Sequence, residues 1–77
     1  MNKNRRKSLE ELQLRIIDIK DAIEYIFNEE EDYKENIPEN LLTSKRYTES
    51  DDACENLYAC VSSLSRAIEN IDLAIGQ

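Results

Sequence analysis

Two apolar patterns of equal period and nearly equal length, divided by a single proline, constrain this chain more than any other feature. Leu9, Leu12, Ile16, Ile19, Ile23, Ile26, Glu30 and Tyr33 alternate three-residue and four-residue steps. That spacing is a heptad seam with one polar member, Glu30, and it predicts a long amphipathic helix over about 4–34. Beyond Pro38, the residues Tyr47, Ser50, Cys54, Leu57, Val61, Leu64, Ile68, Ile71 and Ile75 step in the same way. They predict a second helix over about 47–76, ended by Gly76. The connection, about 35–46, holds the only proline.

The two seams match layer by layer in an antiparallel hairpin. Setting Leu9 against Ile75 places Leu12 by Ile71, Ile16 by Ile68, Ile19 by Leu64, Ile23 by Val61 and Ile26 by Leu57. Glu30 then meets Cys54, and Tyr33 meets Ser50. Helices of about 30 residues make the hairpin roughly 45 Å long. The expected architecture is all-α, one domain spanning 1–77.

Seventy-seven residues bury too little surface for comfortable stability unless something adds to the core. The chain has no His, and its two Cys form no ligand cluster, so a structural zinc is excluded. Cys54 and Cys60 on one helix stand about 9 Å apart along the axis, too far for a disulfide. They read as reduced core thiols, which points to the cytoplasm. Self-association is the remaining addition. Ala53, Cys60, Ala67 and Ala74 recur every seven residues beside the second seam and would let another helix approach closely. Leu14 and Ile17 lie off the first seam, either as an exposed apolar spot or as a second packing face. The chain is therefore expected to dimerise into a four-helix bundle, or to join a larger assembly, with Ala53, Cys60, Ala67, Ala74, Leu14 and Ile17 at the interface.

Helix boundaries are partly legible. Ser8 with Glu11 three residues on fits a capping box. The alternative start, at Asn2 or Asn4, would put Lys3, Arg5, Arg6 and Lys7 on the first helical turns. Cations sit badly there unless something anionic compensates. Asn36 with Glu39 fits a cap and its reciprocal partner, with Pro38 early in a single helical turn. Ile37, Leu41 and Leu42 are expected to fold over the open end of the hairpin. The second helix begins near Ser44 or Thr48, both capping residues.

Catalysis is not expected. No His is present for acid–base work, and Gly76 is the only glycine, so there is no phosphate loop. No Glu-x-x-His pair exists for a di-metal bundle site. No cofactor or metal is expected. Glu30 is the one carboxylate on a seam, where it reads as a register-setting polar residue. No targeting segment or membrane span is legible, because Leu9-Glu10-Glu11-Leu12 stands where an apolar core of a signal would be.

The charge is segregated. Net charge is −7, yet the first seven residues carry four cations and no acid, and Glu29-Glu30-Glu31-Asp32 is a negative block. The overall acidity argues against duplex DNA as a partner. Lys45, Arg46 and Tyr47 open the second helix, where free N–H groups favour an anion. Arg5, Arg6 and Lys7 lie at the other end of the same hairpin. In an antiparallel dimer the two clusters of different protomers would meet, and arginine forks with an aromatic suit a phosphate and a base. The bland alternative is that these cations pair with the acidic block. Candidate ligand-binding residues are Arg5, Arg6, Lys7, Asn40, Ser44, Lys45, Arg46 and Tyr47.

The stretch Asn36-Ile37-Pro38-Glu39-Asn40-Leu41, followed by Ser44, Arg46 and Tyr47, resembles the inter-helix loop of small two-helix proteins of phages and prophages, mostly of Gram-positive bacteria. The opening Met1-Asn2-Lys3 with Arg5-Arg6-Lys7 is similar to theirs. The chain departs from that pattern at Leu42-Thr43, where a Gln-Gly-like pair is common, and at Lys45, where Glu is common. The resemblance implies an accessory protein that antagonises host defence, either by sequestering a nucleotide signal or by binding a defence protein. The first route gives a small nucleotide-like anion as ligand. The second gives a protein inhibitor or adaptor with an acidic, nucleic-acid-mimicking surface and a host defence protein as partner.

Overall fold

The computed structural model describes residues 1–77 as two long helices packed antiparallel. Helix α1 runs Lys3–Glu35 and helix α2 runs Lys45–Ile75, joined through a 3-10 turn at Glu39–Leu41. The rod measures 59 × 15 × 13 Å, longer than the helices alone because the connection and the termini extend past them.

Helix α1 starts at the earlier of the two candidate sites. Asn2 is extended, and its Oδ1 accepts from the Arg5 N–H at 2.8 Å. Such a cap contributes about 1 kcal/mol, and Ser8 is left inside the helix. The first turn therefore carries cations and no acid. Compensation comes from the opposite helix terminus. The Arg6 Nε donates to the Ile75 carbonyl at 3.1 Å, and the Met1 amine donates to the Gln77 carbonyl at 3.3 Å. The last carbonyls of α2 lack partners within their own helix and carry its negative dipole end, so antiparallel pairing satisfies both termini together.

At the closed end, Asn36 terminates α1 rather than capping the turn that follows. Its N–H reaches the Asp32 and Tyr33 carbonyls, and its side-chain amide donates to the Asp32 carbonyl at 2.8 Å. Pro38 opens the turn with no side-chain cap. Ile37 is 4% exposed and seals this end, while Leu41 and Leu42 stay outside. Ser44 is the α2 cap, its Oγ accepting from the Tyr47 N–H at 3.2 Å. Helix α2 thus begins from Ser44, the earlier of its two candidate caps, two residues ahead of the outer bound of about 47. It ends at Gly76 in ordinary right-handed geometry.

Helix α2 presents the seam its spacing predicts, with Cys54 and Ser50 fully buried and the others half-buried. Helix α1 does not. Leu9, Ile16, Ile23 and Glu30 face α2, but Leu12, Ile19, Ile26 and Tyr33 are 44–53% exposed. Gln13, Lys20, Phe27 and Lys34 take their places against α2. The reason is visible in the bonds on that side. Gln13 Nε2 donates to the Ile68 carbonyl at 3.1 Å and to Asp72 at 2.6 Å. Lys34 reaches Asp51 at 3.3 Å, and the Phe27 and Tyr58 rings meet at 6.2 Å, tilted 52°. Two helices can bury only one stripe each, and α1 has rolled toward its polar and aromatic flank. The layer pairing stays within about one helical turn of the expected register, with Glu30 accepting from Ser50 at 2.5 Å and Tyr33 bordering the same recess as Ser50. The three buried residues, Ile37, Ser50 and Cys54, come from the loop and the first turns of α2.

Candidate functional site

The basic residues occupy opposite ends of a 59 Å rod. At the open end Lys3, Arg5, Arg6 and Lys7 form no ion pair. Arg6 is held by the Ile75 carbonyl, whereas Arg5 and Lys7 extend freely from an exposed helix face. Lys3, Asn4, Arg6, Lys7 and Glu10 border a shallow recess whose only carboxylate is Glu10.

At the closed end, Lys45 and Arg46 border an open recess of ≈ 460 Å³ with Glu30, Tyr33, Glu49 and Ser50. The Arg46 guanidinium lies 5.3 Å from the centroid of the Tyr33 ring. That cation–π contact holds the arginine side chain over an aromatic face without neutralising it. Lys45 pairs with Glu49 at 3.6 Å, both well exposed, an arrangement of little energetic weight. Ser50 turns its hydroxyl to Glu30 and orients that carboxylate at the recess wall. Two cations and two carboxylates balance, so this end alone carries no net positive charge.

Of the other sequence candidates, Ser44 is committed to capping α2 and Tyr47 is half-buried on the seam. Asn40 is exposed in the 3-10 turn and does not border the recess. Tyr33, Glu30, Glu49 and Ser50 belong to the recess and were not candidates. The signal for Tyr33 was hidden because the heptad pattern placed it in the core. Among the proposed interface residues, Ala53, Cys60, Ala67 and Ala74 are half-buried beside the α2 seam. Ile17, one turn beyond Gln13, lies on the side of the Gln13–Asp72 bond, away from Leu12 and Ile19, and Leu14 is 64% exposed.

A third recess lies on the polar flank, lined by Phe27, Glu31, Lys34, Asp51, Cys54, Glu55 and Tyr58. Lys34 bridges Glu31 at 3.7 Å and Asp51 at 3.3 Å. Desolvation works to lower its pKa, but the Asp51 hydrogen bond and the Glu31 charge outweigh it, and the net shift is upward. Burial, with Glu31 nearby, also pushes the Cys54 thiol up and keeps it protonated and unreactive. Both cysteines are free thiols. No group of three or more His, Cys, Asp or Glu side chains is placed to hold a metal ion. No helix is long and apolar enough to cross a membrane.

Taken together, these features define a two-helix hairpin with one bonded, acidic flank, one unpartnered apolar flank and a cationic group at each end. No known family model matches the chain, and neither any curated protein nor any solved structure matches it.

Proposed function

We propose that this chain is a phage or prophage accessory protein that binds rather than catalyses, acting in the cytoplasm against host defence. Its working form is a homodimeric four-helix bundle that sequesters a small nucleotide-like anion. Each site combines Arg5, Arg6 and Lys7 of one protomer with the partner's Lys45, Arg46 and Tyr33. The observation that carries the reading is Arg46 stacked on Tyr33 and free of any carboxylate partner, a pairing that offers a base an aromatic edge and a phosphate a fork. The open-end cations supply the positive excess that the closed-end recess lacks. The phage and defence aspects rest on the likeness of the Asn36–Leu41 loop and the basic opening.

A second reading has its own observation. Only five of the seventeen acidic side chains stand in ion pairs, namely Asp21, Glu24, Glu31, Glu49 and Asp51. Apart from Glu30 and Asp72, which accept hydrogen bonds from Ser50 and Gln13, the rest project from a slender rod, a distribution suited to occupying a basic groove on a host protein.

Calorimetric titration with linear and cyclic nucleotides, with inorganic phosphate as the control, tests the first reading. The expected result is saturable binding that weakens at least about tenfold in Arg5→Ala/Arg46→Ala, with helicity unchanged. Absence of binding across the panel, or a variant that binds like the parent, overturns it. The acidic-surface reading would then be tested by charge reversal at Glu29 and Asp32.

A further inference from the structure

The unpartnered flank carries more information than its exposure. Leu12, Ile19, Ile26 and Tyr33 recur every seven residues along α1. On α2, Arg46 begins the small-residue series that continues through Ala53, Cys60, Ala67 and Ala74 at the same period. Arg46 lies over Tyr33, so the two series adjoin at the closed end. Equal heptad periods keep them adjoining along the rod. The Gln13–Asp72, Lys34–Asp51 and Phe27–Tyr58 contacts lie on the other side. One flank is thus a continuous apolar strip, large side chains on one helix and small ones on the other.

We infer that this strip is the docking surface for a second copy of the chain, packed antiparallel with Ala22 and Cys60 beside the two-fold axis. The inference rests on the bundle proposed above and specifies its face and direction. Size is the first argument. A rod 59 Å long and 15 Å wide offers on the order of 800 Å² per partner on one flank, the area of a standard specific interface. A small ligand would leave most of it wet.

Charge is the second argument, and it selects both the occupant and its direction. The α1 positions bordering the strip on the outside are Ser8, Arg15, Ala22 and Glu29. Arg15 and Glu29 are both exposed and neither has an ion-pair partner in the chain. They stand seven residues either side of Ala22, with opposite signs. An antiparallel copy of α1 sets Arg15 against Glu29 of the partner, twice, with alanine facing alanine between them. A parallel copy would bring α2 over α1, where the bordering residues are Asn56, Ser63 and Asn70 and offer no charge. The outer border of α2 is otherwise neutral between Glu49 and the C-terminus, so two chains of charge −7 meet where each is least charged.

Register is the third argument. The cross-helix pairs Gln13–Ile68, Phe27–Tyr58 and Glu30–Ser50 bring Ala22 level with Cys60 to within about one helical turn. A two-fold passing through Ala22 on the α1 side therefore passes near Cys60 on the α2 side. The half-buried Cys60 thiol then faces its own copy, while Cys54 remains inside the hairpin.

Sedimentation equilibrium without nucleotide, on the full chain, tests this directly. The parent is expected at twice the chain mass. Arg15→Glu should weaken association at least about tenfold by setting like charges together, and adding Glu29→Arg should restore it. Both positions are exposed, so the variants should keep parental helicity. A short bismaleimide should link Cys60 to Cys60 of the partner, read by peptide mass mapping. A monomer at all concentrations overturns the inference together with the composite anion site. A dimer indifferent to Arg15→Glu, or one linked through Cys54 or not at all, overturns this face and direction while leaving some other bundle standing. Loss of nucleotide binding with all three results intact would overturn only the anion reading.

Discussion

Replacing Ile37 by alanine removes the best-buried large apolar side chain in the protein, and the consequence follows from its position. Ile37 is 4% exposed, whereas Leu42, five residues later in the same connection, is 44% exposed. Truncating a fully buried isoleucine costs about 2–5 kcal/mol, the transfer loss plus the cavity left behind. The closed end of a two-helix rod has solvent close on every side and relaxes more readily than a deep core. The lower part of that range, about 2–3 kcal/mol, is therefore expected for Ile37→Ala. Leu42→Ala surrenders little burial and should cost under about 1 kcal/mol. For a domain of this size, 2–3 kcal/mol corresponds to a fall in Tm of roughly 10–20 °C. Thermal and urea unfolding followed by far-ultraviolet circular dichroism would read the difference, at one protein concentration because association contributes to stability. Equal losses for the two variants would refute the argument that Ile37 seals the hairpin.

Two further outcomes follow from the local chemistry. Ser44→Ala should cost about 1 kcal/mol by leaving the Tyr47 N–H without its cap, and Thr48→Ala much less, read by the same unfolding curves. The Cys54 thiol holds its proton above the ordinary value of 9.0, so its contribution to stability is complete below that pH and is lost as pH rises toward the raised folded value. Unfolding free energy should begin to fall as pH rises through about 9 in the parent and fall less steeply in Cys54→Ala.

The recess at the closed end shows how a site escapes a sequence reading. Lys45 and Arg46 were legible as cations at a helix start. Tyr33, which gives Arg46 its platform, carries the spacing of a core residue on the α1 seam. Its exposure depends on which way α1 rolls, and roll is decided by partners far along the chain. The bonds of Gln13 to Asp72 and Lys34 to Asp51 join residues that no local window relates. The compensation of the N-terminal cations has the same origin, since the Ile75 carbonyl that receives Arg6 lies at the far end of the sequence.

Periodicity, the lone proline and the capping chemistry of Ser44 are local properties, and they sufficed for two helices and their antiparallel pairing, but not for the choice of Asn2 over Ser8 or for the way the turn closes. The sequence by itself also determined the seam of α2, because that helix has a single apolar stripe wide enough to tolerate small changes of roll. It did not determine the seam of α1. There, two stripes flank Leu9, Ile16 and Ile23, one apolar and one polar or aromatic, separated by a single residue step. Heptad spacing cannot rank them, since both keep the same period. Only the tertiary structure chose, by bonding the polar stripe across to α2 and leaving Leu12, Ile19 and Ile26 on the surface. A hairpin has one internal face to offer each helix, and an apolar stripe excluded from it remains available for an intermolecular contact.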